Sequence, residues 1–237
     1  MFLGNNSIGT FKLGVDQVDK VYLGNDEVWS SGPSPINIVD STDPFGDGSL
    51  LHKFQMEDST ATVGVDASNT SVTFSPGEFA NAGNINGSAR FGVASTTLSG
   101  NIFSYSIFIK SSVSSKEGKY ICDFSSGRNI MSTGSAASNN FAVYTGSQWV
   151  DCGFEPTLNV WTHIVLTNDG GIFKVYENKI LVYTSSVSMS SFGAGQWGIG
   201  GNNSSNVSNF SGMLDQFEIY NRVLTQTEID QLYVQEI

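Results

Sequence analysis

Hydrophobic and polar positions alternate along this chain in short runs. Residues 213–220 read MLDQFEIY, with Met213, Asp215, Phe217 and Ile219 on one side and Leu214, Gln216, Glu218 and Tyr220 on the other. Period two predicts a strand with one buried face. The period then changes. Thr225 and Glu228 have the spacing of a capping box, in which each side chain satisfies an orphan amide of the other's turn, and Ile229, Leu232 and Tyr233 recur at helical spacing. A closing strand that runs into a short C-terminal helix is expected.

Upstream the same alternation recurs. Phe103, Tyr105, Ile107 and Ile109 share one face, as do Tyr120, Cys122 and Phe124. Phe141, Val143 and Thr145 follow, then Val150, Cys152 and Phe154, then Trp161, His163 and Val165 against Ile164 and Leu166. Phe173 and Val175 lead across a turn at Glu177-Asn178 to Ile180 and Val182, and Trp197 and Ile199 precede the loop Gly200-Gly201-Asn202-Asn203. Many short strands between Gly, Ser and Asn turns predict an all-β, two-sheet antiparallel sandwich with a short C-terminal helix.

The first residues carry a ten-residue repeat. Leu3-Gly4, Leu13-Gly14 and Leu23-Gly24 recur in step with Ile8, Val18 and Val28. Each unit ends in Gly-Asn-Asn, Gly-Val-Asp or Gly-Asn-Asp, residues that tolerate the positive φ of tight hairpin turns. A small N-terminal β-meander over residues 1–32 is expected, too small to bury a core alone. Residues 33–44, with Ser30-Ser31-Gly32-Pro33-Ser34-Pro35 at their start, read as a linker, and 45–237 as the large domain.

Several segments carry a resemblance. G-x-L-D-x-F-x-I-Y-N-R-x-L-T-x-x-E-I-x-x-L-Y, from Gly212 to Tyr233, resembles the final strand and helix of laminin-G-like, concanavalin A-like jelly-roll domains. Asp43-Pro-Phe-Gly-Asp-Gly-Ser49 and Gly83 to Val93 resemble the opening segments that such domains carry in bacteriophage proteins, and the LG repeats are similar to the N-termini of virion structural proteins of tailed bacteriophages. The resemblance implies a jelly roll over about residues 45–237. It also implies a virion location, with assembly in the host cytoplasm.

Composition narrows the classes. Net charge is −11, and the eleven Lys and Arg are scattered singly, so a nucleic-acid interface is not expected. The start, MFLGNNSIG, lacks the charged and apolar segments of a secretory signal, and no apolar run is long enough to span a bilayer. Cys122 and Cys152 lie in strand-like runs and read as buried free thiols.

Candidate chemistry follows from side-chain type. Glycanases of this fold place carboxylates at i and i+2 on one strand. No such run occurs, and Asp215 and Glu218 have opposite parity, so no enzyme is expected; His163, flanked by Trp161 and Ile164, reads as a structural histidine. Sugar sites need an aromatic face with amide and charged groups at its rim. Trp149 and Tyr144 flank one hairpin, Arg128 lies in the polar loop 125–140, and Asn202 and Asn203 lie in another, so these five are the candidate glycan ligands. Asp58 and Asp215 resemble acidic positions of the family that hold calcium, an alternative being that Asp215 only accepts backbone hydrogen bonds. The combined expectation is a virion structural protein, a tail fibre or adhesin that presents a laminin-G-like domain to host-surface glycans. Residues 1–32 would attach it to other virion proteins or form a homo-oligomer, a trimer first. Alternatives are a capsid-decorating or head-fibre protein without a ligand, and a glycan-active enzyme or its accessory carbohydrate-binding module.

Overall fold

The structure, a computed structural model, describes residues 43–93, 100–114, 118–124, 129–134, 140–190, 195–202 and 208–234, with the backbone alone at 129–130 and in the short strands before residue 31. Those short strands are β1 (Phe11–Leu13), β2 (Asp16–Val18), β3 (Lys20–Leu23) and β4 (Asp26–Ser30). Among the described residues they pair as two antiparallel hairpins, β1 with β2 and β3 with β4, each closed across a Gly-containing connection.

The remaining strands are β5 (Leu50–Phe54), β6 (Ala67–Thr70), β7 (Thr73–Pro76), β8 (Asn81–Asn86), β9 (Arg90–Val93), β10 (Ile102–Ser111), β11 (Tyr120–Phe124), β12 (Asn129–Ser132), β13 (Ala142–Tyr144), β14 (Trp149–Asp151), β15 (Thr162–Asp169), β16 (Phe173–Glu177), β17 (Ile180–Thr184), β18 (Trp197–Ile199) and β19 (Ser211–Tyr220). One helix, α1 (Gln226–Val234), follows. Two antiparallel sheets stack face to face. The helix-side sheet has the order β17-β16-β15-β10-β19-β8-β7, with β5 also on β19, and the far sheet has the order β14-β13-β12-β11-β18-β9-β6. This is the expected jelly-roll sandwich. The β16–β17 hairpin turns at Asn178-Lys179, both at positive φ, the geometry that matches the twist of its strands.

The alternating apolar residues meet between the sheets. Tyr105 stacks on Phe124 at 4.6 Å, Phe124 meets Trp197 edge-on at 5.4 Å, and Phe217 lies 6.2 Å from Phe124, so both sheets feed one aromatic column. All four are essentially inaccessible to water. Burial of such side chains contributes roughly 1.5–3 kcal/mol each. Cys122 and Cys152 are buried and free, as expected, and burial raises both thiol pKa values.

β19 does not keep a single alternation. One of its edges pairs with β10, while the other is shared by β8, over Ser211–Leu214, and β5, over Phe217–Tyr220. Between those partners the β10 ladder slips: Phe108 faces Asp215, Ser106 faces Glu218, and Gln216 adopts φ +46°. This is a β-bulge, and a bulge inverts side-chain parity beyond it. Leu214 faces the core before the bulge, Phe217 and Ile219 after it. Asp215 and Glu218, expected on opposite faces, therefore share the outer face, since their partners on β10 are two residues apart.

That outer face is covered by α1. Ile229 and Leu232 pack with Leu224, Tyr220, Leu50, Val165 and Tyr176 in a second apolar cluster. The expected capping box is present: the Thr225 amide donates to Glu228 Oε2 at 2.7 Å, and the Glu228 amide donates to Thr225 Oγ1 at 3.3 Å. Arg222 donates two 2.8 Å hydrogen bonds to the Glu228 carboxylate and a 2.7 Å bond to Asp47, joining the start of the sandwich to its closing helix. Lys53 and Glu218 form a buried ion pair at 2.9 Å, and the Tyr220 hydroxyl donates to Glu218 at 2.6 Å. His163 is fully buried against Phe108, its Nε2 2.8 Å from Ser106 Oγ. Burial lowers its pKa to about 3, so it is a neutral packing group at ordinary pH.

Replacing Thr225 with Ala is expected to lower stability by about 1 kcal/mol through loss of one half of the box, read as a shift of the urea midpoint at unchanged slope. His163 gives a pH dependence of definite sign. The unfolded chain binds a proton at this residue below pH 6.5 and the folded chain does not until about pH 3. Its stabilisation is complete above pH 6.5 and falls by about 1.4 kcal/mol per unit as pH drops through that window. His52, also lowered by burial, acts in the same direction. Urea denaturation from pH 7 to pH 4 is expected to show this slope, and His163→Gln to reduce it.

Candidate functional site

The β13–β14 hairpin builds the clearest candidate surface. Its turn is fixed locally, with the Thr145 amide bonded to the Gln148 carbonyl at 3.0 Å and Gly146 at φ +93°. Val143 and Val150 then pair toward the core, which sends the next pair, Tyr144 and Trp149, to the outer face of the far sheet. Their rings lie 5.3 Å apart and tilted, and both are half-buried. A third ring joins them. A bulge between Tyr120 and Cys122 sends both Ile121 and Cys122 into the core, so Tyr120 does not keep the parity expected from Cys122 and Phe124. Tyr120 stands 6.1 Å from Trp149, and the row between them on β12 and β13 holds the small residues Ser132 and Ala142. Small side chains leave space in which rings from separated strands can lean together.

Polar groups rim this platform. Asp151 is exposed at the end of β14 and accepts from Asn140 Nδ2 at 3.0 Å and 3.3 Å. Asp123, fully buried, lies in the same cross-strand row as Tyr144 and Trp149; burial, with the Asp123 charge second, raises the pKa of Tyr120. Half-buried rings beside amide and carboxylate groups can take the C–H face of a sugar and its hydroxyls together. Asn202 lies after β18, its amide donating to Asn209 Oδ1 at 3.3 Å, and Asn209 bridges to Tyr120. It thus approaches from the side of Tyr120. Arg128 and Asn203 lie outside the described residues.

The two carboxylates expected to hold calcium act on the backbone. Asp215, fully buried, accepts from the amides of Glu78 and Phe79 at 3.1 Å and 3.0 Å and so pins the β7–β8 turn. Asp58 is exposed and accepts from the Thr60 amide at 2.6 Å. Among the described residues no three acidic, His or Cys side chains gather at one point. Glu218, although on the face of Asp215, is held by Lys53 and Tyr220.

A second surface was not legible in the sequence. At the end of the helix-side sheet away from the Lys53–Glu218 pair, a groove of about 480 Å³ is lined by Asn84, Asn86, Lys110, Asn159, Ser211 and Met213, among others. The row Asn84–Met213–Lys110 crosses three strands that are distant in sequence. Only the strand pairing brings them together. The sole local signal is Lys110, the one charged residue in β10, next to its last position.

The profile of the concanavalin A-like lectin/glucanases superfamily matches residues 82–230. No curated protein sequence matches the chain. Among solved structures, domain 4 of AbnA, a GH43 extracellular arabinanase from Geobacillus stearothermophilus in complex with arabinotriose, aligns with TM-score 0.68 at 20% identity, over 78% of this chain and 98% of that one. The binding domain of Paraclostridial Mosquitocidal Protein 1 aligns with TM-score 0.62 at 16% identity, over 79% of this chain and 52% of that one. Botulinum neurotoxin type C, which depends on interaction with two ganglioside molecules to enter cells, aligns with TM-score 0.58 at 19% identity, over 80% of this chain and 51% of that one. The chain therefore spans about half the length of each of these two toxin chains. The sandwich, its register and the profile agree: the chain belongs to the concanavalin A-like lectin/glucanases superfamily.

Proposed function

We propose that the chain is a glycan-binding module without catalytic function, carried on a virion fibre or adhesin by its N-terminal hairpins. The observation that carries the binding reading is the half-buried Tyr120–Trp149–Tyr144 cluster on the far sheet, rimmed by Asn140 and Asp151. Similar sandwiches whose ligands are an arabinotriose or gangliosides support a carbohydrate as the ligand class. The absence of catalysis is supported by the engagement of Glu218 with Lys53 and of Asp215 with two backbone amides. The virion reading rests on the ten-residue LG repeats. Their hairpins, of three to five residues per strand, need a partner to be stable, and further copies of the chain or other virion proteins would supply it. No helix among the described residues is long and apolar enough to cross a membrane.

On a glycan array the intact chain is expected to retain a defined set of oligosaccharides. Trp149→Ala should weaken the best of them roughly tenfold or more with an unchanged melting temperature. Undiminished binding by that variant would remove the platform from the site. Deleting residues 1–32 should reduce a homo-oligomer, a trimer in the simplest case, to monomer in sedimentation. An oligomer that survives the deletion would refute the attachment role.

A further inference from the structure

We propose that the groove on the outer face of the helix-side sheet is a second binding site, specific for a carboxylated sugar. Two cross-strand rows form its floor: Asn84, Met213 and Lys110, then Asn86, Ser211 and Ser112. Ile85, Ile109 and Leu214, their immediate neighbours in sequence, face the core, so the polar set is the outward one. Gly212 lies between the rows, and a Cβ there would strike the Lys110 carbonyl at 2.1 Å, so the close approach of β19 to β10 at this point requires glycine.

Charge sets the ligand class. The chain holds twenty-two acidic and eleven basic residues, yet the groove lining includes Lys110 and no carboxylate. The Lys110 ammonium is poised 5.8 Å from the centre of the Trp161 ring, and no described acidic group pairs with it. A half-buried ammonium in an otherwise acidic protein focuses positive potential on the groove. One flexible ammonium suits a single carboxylate, whereas phosphate recognition favours an Arg fork or several converging amides.

The remaining groups suit a sugar ring. Asn84 is braced by Ser75 and Thr73, and Asn86 Oδ1 accepts from Ser88 and Ala89, so both are held in place on the floor. The side chains of Ser112, Ser211 and Asn159 engage no described partner and remain available to hydroxyls. Met213 offers apolar surface to C–H groups, and Trp161 stands beside the groove against the Lys110 ammonium. The volume lies within the range of small-ligand sites. This site is separate from the Trp149 platform, on the other sheet.

The test is calorimetric titration of the full chain with tri-galacturonic acid and 3′-sialyllactose, with galactotriose and lactose as neutral counterparts. At least one acidic sugar is expected to bind about tenfold or more tightly than its neutral counterpart, and to weaken as salt is raised. Lys110→Gln, which keeps the stem and a polar head, and Trp161→Ala should each reduce that affinity about tenfold, while Trp149→Ala leaves it unchanged. Failure of both acidic sugars to bind, equal affinity for the neutral pair, or loss on Trp149→Ala with retention in Lys110→Gln would overturn the proposal. A glutamate-rich peptide that binds as tightly as the acidic sugars would also overturn it. Failure of the Trp149 platform on a glycan array would leave these outcomes unaffected.

Discussion

The bulge at Asp215–Gln216 in β19 is the constraint on which the sandwich depends. A strand of ten residues has to serve two short partners, β8 and β5, on one edge while staying paired with β10 on the other. A straight strand with period two would place Leu214 and Phe217 on opposite faces. The extra residue lets both reach the core, and it turns the Asp215 side chain outward, where it holds the β7–β8 turn. The same inversion gathers Asp215, Glu218 and Tyr220 on the outer face, where Glu218 needs Lys53 and the tyrosine hydroxyl as partners. Breaking one member of such a buried pair is costly, because the other is left charged and dry.

The outer surfaces of the two sheets consequently differ. The helix-side sheet is closed by apolar contacts with α1 along one half and remains polar along the other. On the far sheet, bulge and hairpin together turn three aromatic rings outward. Closure by α1 and the outward aromatic rings thus lie on different sheets.

Local patterns in the sequence predicted local structure well. The strands β10, β13, β15 and β16, the capping box at Thr225 and Glu228, and the buried thiols all follow from residues within one or two turns of each other. Tyr144 and Trp149 were legible for the same reason, since a tight hairpin fixes their pairing. What was not legible depends on partners far along the chain. Tyr120 turns outward because β11 bulges against β12, and the opposed parity read for Asp215 and Glu218 fails because β8 and β5 meet on one edge of β19. The Lys110 groove combines residues from β8, β10 and β19 with Asn159, and no single segment carries its signature.

The Arg222 clamp has a mechanical consequence. The Asn221 amide bonds the Ser49 carbonyl at 2.9 Å, and Leu50 pairs with Tyr220, so the chain enters and leaves the sandwich at neighbouring points. Tension applied between those points would open β5 from β19 as a zipper, one rung after another, with the Arg222–Asp47 contact as the first rung loaded. The rungs nearest the Arg222–Asp47 contact would therefore carry such a load before the middle of the sheet does.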